Sequence, residues 1–138
     1  MDQHFSVREV AALLGVSDET VRRWGESGKL PLTPASNGRL TADGVELAVL
    51  AQELGAGSAL AEAFPASKAS ARNRITGIVT RVVKDGVMAQ VELQAGPFRI
   101  VSLISREAAD DLELEPGVVA TASVKATNVT IEIPEDRP

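Results

Sequence analysis

The apolar residues near the start of the chain recur every three or four positions, which is the spacing of amphipathic helices. Ser6 and Glu9 match a capping box at the start of a first helix, and Gly15 ends it. Ser17 caps a second helix that ends at Gly28. The inward-facing positions of these helices are predicted to be Val7, Val10, Ala11, Leu14, Val21 and Trp24. Because so short a turn forces the two helices to cross steeply, the pattern predicts a helix-turn-helix.

A small hairpin and a third helix are predicted between residues 30 and 55. Asn37 and Gly38 favour a tight turn, so we expect a wing with Arg39 near its tip. Thr41 is expected to cap the third helix, and Gly55 is expected to end it. The side chains predicted to face inward from this helix are Val45, Ala48, Val49 and Leu54.

The period changes to two after residue 70, which indicates strands in place of helices. Residues 75–84 and 87–94 are expected to form two antiparallel strands joined by a hairpin at Asp85 and Gly86. The face of the second strand that is expected to be buried carries Val87, Ala89, Val91 and Leu93, which alternate with Met88, Gln90, Glu92 and Gln94.

More strands follow in the same half. Residues 98–104 are predicted to form a third strand, and Ser105 to cap a short helix through Leu112. A turn at Pro116 and Gly117 leads to a strand at 118–124, and residues 129–133 are expected to form the last strand. Five strands and one short helix in about 65 residues indicate a small closed or nearly closed barrel of the oligomer-binding (OB) type.

The chain is therefore expected to be an α+β protein of two domains. A mainly α, winged helix-turn-helix domain is predicted at residues 1–55, and a small OB-like β-barrel at residues 70–134. Residues 56–69 are rich in Ala, Gly and Ser and are expected to be a linker, in which residues 58–64 could make one or two helical turns. Residues 135–138 are expected to be a frayed tail.

Composition and charge narrow the classes of function. The chain has no Cys and a net charge of −5, which excludes a disulfide scaffold and speaks against unspecific coating of nucleic acid. Residues 1–55 carry five Lys and Arg against eight Asp and Glu, a net of −3. We expect a cytoplasmic protein without a membrane segment, because the sequence has neither a signal-peptide pattern nor an apolar stretch of spanning length.

The sequence offers few groups for catalysis. His4 is expected to be a solvated tail residue, and Asp110 and Asp111 have the pattern of exposed acids on a helix. Glycine-rich phosphate loops, nucleophile elbows and metal-ligand spacings do not occur in the sequence. We therefore expect neither an enzyme nor a metal-ion site.

The second helix is the candidate DNA-reading element, because it exposes Thr20, Arg22 and Arg23 while burying its apolar side. Four segments of this half are informative: Phe5-Ser6-Val7-Arg8-Glu9-Val10-Ala11, Leu14-Gly15-Val16-Ser17, Thr20-Val21-Arg22-Arg23-Trp24 and Gly28-Lys29-Leu30-Pro31. In them the chain resembles the N-terminal module of the MerR and excisionase-like families. The resemblance implies that DNA is bound by Ser17, Thr20, Arg22, Arg23 and Arg39. An alternative is that the module serves protein contact alone.

Small hydroxyls, amides and cations surround the predicted strand ends of the second half, namely Ser70, Arg72, Asn73, Ser105, Lys125 and Thr127. A dianion removed from water needs donors around nearly all its oxygens and one or two cations, because an unpaired buried charge is costly. These residues all donate hydrogen bonds, but similar residues edge any β-barrel. Composition alone therefore does not decide whether these residues form an anion site.

Motifs in the same half carry more information. They are Ser70-Ala71-Arg72-Asn73 with Ile75, Gly77 and Val79, then Ile104-Ser105 before Glu107-Ala108-Ala109, then Pro116-Gly117, and Lys125-Ala126-Thr127-Asn128-Val129. In these motifs the chain resembles the molbindin (Mop, or TOBE) family of molybdate-binding barrels, whose site lies between subunits. The resemblance implies molybdate or tungstate as the ligand and a homo-oligomer, at least a dimer. It also implies an oxyanion site made by Ser70, Ala71, Arg72, Asn73, Ser105, Lys125, Ala126 (through its backbone) and Thr127. Ala108 stands where many members have a serine.

Together the two halves predict an oxyanion-responsive transcription regulator, with a DNA-binding module in front and a molybdate-binding barrel behind. The alternative is an intracellular molybdate storage protein whose front module mediates assembly. A third hypothesis is a phage-type architectural protein, in which Ser70–Asn73 would have no role.

Overall fold

The computed structural model describes residues 3–65 and 68–135. The chain divides into two compact units, Met1–Ala63 and Phe64–Pro138. Residues 66 and 67 of the expected linker, residues 136–138 of the expected tail, and the first two residues of the chain lie outside the described residues.

The first unit combines short helices with a small antiparallel sheet in the order β1-β3-β2. Its elements are β1 (His4–Ser6), α1 (Val7–Leu14), α2 (Asp18–Ser27), β2 (Leu32–Pro34), β3 (Leu40–Asp43), α3 (Gly44–Ala56) and α4 (Ala59–Ala63). Strand β1 was not predicted. His4 belongs to this strand and is aligned with Asp43 of β3. The expectation of a tail residue is therefore wrong, whereas the expected exposure of His4 to solvent is confirmed.

Side-chain caps and left-handed glycines set the ends of α1 and α2. Ser6 Oγ accepts from the N–H of Glu9 at 3.2 Å, and the Glu9 carboxylate accepts from the N–H of Ser6 at 2.9 Å, which is the predicted capping box. Ser17 caps α2, and Gly15 and Gly28 end the two helices with φ of 68° and 82°. The predicted ends of both helices are confirmed.

The core of the first unit is aliphatic and joins all three of its longer helices. Its buried side chains are Val7, Val10, Ala11, Val21, Leu30, Ala42, Leu47 and Leu50. Trp24 is only partly buried, and Lys29 lies over its ring with Nζ 5.5 Å from the ring centroid.

Helix α3 differs from its prediction in its start, its end and its buried face. Asp43 caps it in place of Thr41, which pairs in β3, and the helix continues past Gly55 to Ala56. Val45 and Val49 are 74% and 50% exposed. The inward stripe is instead made by Leu47 and Leu50, with Leu54 packed against the core.

The second unit is a four-stranded antiparallel sheet in the order β6-β5-β4-β7. Its elements are β4 (Asn73–Lys84), β5 (Met88–Ala95), β6 (Phe98–Ser105), α5 (Arg106–Asp111), β7 (Val119–Val124) and a 3-10 turn at Ala126–Asn128. Strand β4 pairs with β7 through its first half and with β5 through its second half. An irregularity in the register between Val79 and Arg81 marks a bulge between these two halves.

The core of this unit is small. Val79, Val91 and Leu93 are buried, and partly buried side chains from β6 and β7 pack against them. Val87, predicted to join this face, is exposed because β5 begins one residue later. Glu92 of the opposite face is buried as well, and it pairs with Arg99 and Arg81 on the two neighbouring strands.

The predicted last strand at residues 129–133 is wrong. These residues follow the 3-10 turn without regular structure, and Ile131 and Ile133 are 85% and 86% exposed. Alternation of apolar and polar residues suits a strand, but a strand forms only where a neighbouring edge accepts its backbone hydrogen bonds. Within the described residues β6 and β7 therefore remain the two edges of the sheet. Of the two predicted forms, closed or nearly closed, the fully closed barrel is not seen.

Candidate functional site

The pairing of β4 with β7 joins two polar segments that are far apart in sequence. Asn73 is aligned with Val124, and its side-chain amide donates to the carbonyl of Val124 at 3.1 Å. Residues 70–72 lead directly into β4, and residues 125–127 follow directly after β7. Because the strands are antiparallel, both segments lie at the same end of the sheet.

These two segments present many hydrogen-bond donors. Ser70, Arg72, Lys125 and Thr127 are exposed, and Asn73 is half-buried. Residues 126–128 form a 3-10 turn, in which the N–H of Asn128 donates to the carbonyl of Lys125 at 2.9 Å. The first N–H groups of such a turn have no acceptor inside it. This end of the sheet therefore offers two cations, two hydroxyls and backbone N–H groups to a ligand.

Ser105 lies elsewhere. It ends β6 and is aligned with Met88 at the start of β5, beside the hairpin that follows β4. About eleven residues of β4 separate this hairpin from Asn73, which is roughly 36 Å along the strand at 3.3 Å per residue. Ser105 Oγ also accepts from the N–H of Ala108 at 3.0 Å as the cap of α5. One copy of the chain thus has seven of the eight predicted oxyanion residues at one end of the sheet and Ser105 at the other end.

The other end of the sheet is dominated by paired charges. Lys84 Nζ lies 2.5 Å from the Asp110 carboxylate, and Arg106 Nε lies 3.7 Å from it. The hydrogen bond between Lys84 and Asp110 holds the pKa of Asp110 below the ordinary value of 3.8. The expected exposure of Asp110 on a helix is confirmed, since its side chain is 50% exposed, and its ion pairs are an additional feature of the structure. The signal for the pair is non-local, because Lys84 and Asp110 are 26 positions apart.

A shallow cavity of about 550 Å³ lies at this same end, lined by Lys84, Asp110, Glu113, Leu114, Glu115 and Val118. Three carboxylates face one ammonium group there. A dianion would be repelled by this lining, so the cavity is not suited to an oxyanion.

The first unit has a separate polar surface on α2. Arg22 and Arg23 are exposed, and Thr20 is half-buried. Arg23 Nη2 donates to Thr20 Oγ1 at 3.2 Å. Arg39 is exposed in the loop between β2 and β3, where its N–H donates to the Asn37 side chain at 2.9 Å. Together with Ser17, which is exposed at the cap of α2, these are the residues that the resemblance to the MerR and excisionase-like families assigns to DNA.

Residues 3–65 and 68–135 contain no group of three or more His, Cys, Asp or Glu side chains that could hold a metal ion. Likewise, the helices in these ranges are all too short or too polar to cross a membrane.

Known proteins match the second half of the chain. The model of the TOBE domain matches residues 69–131. Molybdenum-pterin-binding protein 3 of Clostridium pasteurianum is 41% identical over 63 residues, which are 45% of this chain and 93% of that protein. Molybdenum-pterin-binding protein MopB of Rhodobacter capsulatus is 34% identical over 76 residues, which are 54% of this chain and 28% of that protein.

Among solved structures, the cytoplasmic molybdate-binding protein ModG, in a form with molybdate bound, is 38% identical. The match covers 49% of each chain with a TM-score of 0.47. The chain thus spans nearly all of the clostridial relative but about half of ModG and about a quarter of MopB.

Proposed function

Through residues 69–131 the chain belongs to the TOBE domain family, and we propose that this part of it binds molybdate or tungstate. The observation that carries the proposal is the pairing of β4 with β7, which sets the segment at Ser70–Asn73 beside the segment at Lys125–Thr127. The names of the relatives add support, because they describe molybdenum-binding proteins.

The chemistry of these two segments suits a tetrahedral dianion. Hydroxyl, amide, ammonium and guanidinium groups all donate hydrogen bonds, and Arg72 and Lys125 offset the negative charge. A pocket of donors alone disfavours partly protonated phosphate, whose proton would meet no acceptor. Molybdate is fully deprotonated near neutral pH. Sulfate carries the same charge, so size must separate the two anions.

The site is proposed to be completed by a second copy of the chain. Support comes from Ser105, which lies at the opposite end of the sheet from Asn73. Further support comes from residues 129–133, whose alternating apolar side chains are exposed, and from β6 and β7, which within the described residues form the two edges of the sheet. In a symmetric dimer one copy can supply the Ser70 and Lys125 segments and its partner Ser105.

Calorimetric titration of the full chain with molybdate, tungstate, sulfate and phosphate tests anion binding. The expected result is heat with molybdate or tungstate and at least tenfold weaker binding in the variant Arg72→Gln/Lys125→Gln, roughly the effect of losing two charge-assisted hydrogen bonds. The matched control Arg8→Gln/Lys29→Gln removes the same charges from exposed positions of the first unit and is expected to bind like the parent. Absence of heat with both metal oxyanions would refute the proposal.

We further propose that the first unit binds DNA, which would make the chain a cytoplasmic, oxyanion-responsive transcription regulator. Support comes from the exposed arginines of α2, from the adjacent hairpin with Arg39, and from helix ends that match the predicted helix-turn-helix. A dimer doubles the phosphate contacts, which counters the net charge of −3 in residues 1–55.

A second candidate, molybdate storage with the first unit used for assembly, is favoured by one observation. Val45 and Val49 of α3 are exposed and share an apolar face with Ala48, which is more typical of a protein contact than of a DNA contact. Large assemblies without DNA affinity would support storage. A dimer with sequence-specific DNA binding would support regulation.

Selection of bound fragments from a random duplex library, with and without molybdate, decides between the two candidates. Regulation predicts an enriched sequence whose affinity is salt-dependent and is changed by molybdate. The variant Arg22→Ala/Arg23→Ala is expected to lose this binding, whereas Arg8→Ala/Lys68→Ala, with the same change of charge at exposed sites, is expected to keep it. Equal binding by both variants would contradict the assignment of α2.

A further inference from the structure

Three polar side chains of α2 form one hydrogen-bonded array. Ser17 Oγ accepts from the N–H of Thr20 at 3.1 Å and lies 3.0 Å from Thr20 Oγ1. Arg23 Nη2 donates to the same Thr20 oxygen at 3.2 Å. The three positions are spaced by three residues, so the array follows one edge of the helix from its cap to the guanidinium group.

Arg22 has a different environment. Its side chain is exposed and, within the described residues, makes neither an ion pair nor a side-chain hydrogen bond. Consecutive residues of an α-helix point about 100° apart. The two neighbouring arginines therefore differ in direction as well as in constraint.

The two kinds of contact in a protein–DNA complex make different demands on an arginine. A bidentate contact to O6 and N7 of guanine requires a guanidinium plane held in one orientation. A phosphate contact tolerates a mobile cation and carries no sequence information. Arg23 donates one of its five N–H groups to Thr20 and keeps the others for a ligand.

We infer that Arg23, positioned by Thr20, reads a guanine edge in the major groove, whereas Arg22 contacts backbone phosphate. The inference rests on the DNA binding proposed above and assigns separate tasks to two adjacent residues. Thr20 acts as a positioning residue, because its hydroxyl fixes the guanidinium group and is itself fixed by the helix cap.

The test uses the full chain and the preferred site recovered from a random duplex library. Dissociation constants are measured for that site, for every single base-pair change in it and for an unrelated duplex, each at several salt concentrations. The variants are Arg23→Lys and Arg22→Lys, which both keep the charge, together with Arg22→Ala and Thr20→Val.

Arg23→Lys is expected to lose roughly 10- to 100-fold discrimination at one G·C pair and to keep its affinity for the unrelated duplex. Arg22→Lys is expected to keep the base preferences of the parent. Arg22→Ala is expected to weaken binding to all sequences and to reduce the slope of log affinity against log salt by about one. Thr20→Val preserves the shape of the side chain and the Ser17 cap, and it is expected to weaken the same G·C preference without a change in salt slope.

Unchanged base preferences in Arg23→Lys, or a G·C preference that depends on Arg22, would overturn the inference while leaving DNA binding intact. Equal weakening at all base pairs by Thr20→Val, or a lowered unfolding temperature with unchanged preferences, would reduce Thr20 to a structural residue and overturn its positioning role. A parent chain that enriches no sequence would overturn the proposed regulator and this inference together.

Discussion

Gly77 lies on β4 directly against the backbone of β5. A Cβ atom at this position would lie 2.5 Å from the carbonyl oxygen of Gln94, which is closer than non-bonded atoms allow. We expect Gly77→Ala to destabilise the second unit by about 1–3 kcal/mol, the usual cost of overpacking. Urea unfolding followed by the β-sheet circular dichroism signal measures the change.

Gly86→Ala is the matched control for this substitution, because a Cβ atom at Gly86 meets no other atom within 4 Å. The control is expected to unfold at the same urea concentration as the parent. Equal midpoints for both variants would show that β4 and β5 can separate at Gly77 without loss.

Asp85 stabilises the hairpin between β4 and β5 through its carboxylate. Its Oδ1 accepts from the N–H groups of Val87 and Met88, each at 2.7 Å. The hydrogen bond from Met88, and next in size the hydrogen bond from Val87, lower the pKa of Asp85 below the ordinary value of 3.8. The stabilisation is therefore present above pH 3.8 and is lost as the pH falls through the lower pKa of the folded state.

Thermal unfolding between pH 6 and pH 2 tests this role. Asp85→Asn is expected to lower the unfolding temperature at pH 6 and to flatten its decline below pH 3.8, since the substituted side chain has no charge to lose. Asp111→Asn removes the same charge from an exposed position of α5. Its unfolding temperature is expected to decline with falling pH as steeply as that of the parent. A decline as steep in Asp85→Asn as in the parent would rule out the carboxylate as its source.

At the scale of elements, a charged cluster joins the three strands β4, β5 and β6. The Glu92 side chain is only 7% exposed, accepts from Arg99 and lies 3.8 Å from Arg81, whereas the two arginines are 62% and 66% exposed. Removing Glu92 leaves two solvated cations, but removing Arg99 leaves a buried carboxylate with one distant partner. The cost of the second change is therefore larger.

We expect Arg99→Met to destabilise the second unit by about 1–3 kcal/mol and Glu92→Gln by less than about 1 kcal/mol. Urea unfolding of the two variants, at low and at high salt, measures both changes. A larger loss of stability in Glu92→Gln than in Arg99→Met would mean that the arginines, and not the buried carboxylate, depend on the ion pair.

Local signals were sufficient for several elements, because caps and turns act within a few residues. Ser6 and Gly15 determined the ends of α1, and Asp85 determined the hairpin between β4 and β5. The buried face of α3 was not predictable in this way, since residues 45–51 are apolar on nearly every side. Packing against the rest of the unit selects the leucines, which bury more area than the valines.

The candidate site shows the same limit at longer range. Its chemistry follows from residue types, but the proximity of Asn73 and Val124 depends on strands that are 51 positions apart. Residues 129–133 likewise have the alternation of a strand, and only a partner edge can make them one. Neither fact is encoded in the spacing of nearby residues.

At the scale of the whole molecule, the exposed apolar side chains of residues 129–133 predict association. Ile131→Ser/Ile133→Ser is expected to shift the oligomer towards monomers and to weaken molybdate binding in parallel, because the proposed site needs two copies. Sedimentation velocity and calorimetry measure the two effects. The control Thr130→Ser/Glu132→Ser changes the alternate positions and is expected to preserve both. An unchanged mass in the isoleucine variant would exclude this segment from the interface.

The long-range pairing of Asn73 with Val124 also has a consequence for synthesis. During synthesis the first unit emerges from the ribosome long before residue 124 does. The β4–β7 ladder cannot form until residue 124 has emerged. On the proposed function, a chain interrupted before this point would carry a complete reading helix and no anion sensor. Such a fragment would also lack residues 129–133, which are proposed to hold the dimer together. Its DNA contact would be that of a single copy, weaker than in the full chain and unresponsive to molybdate.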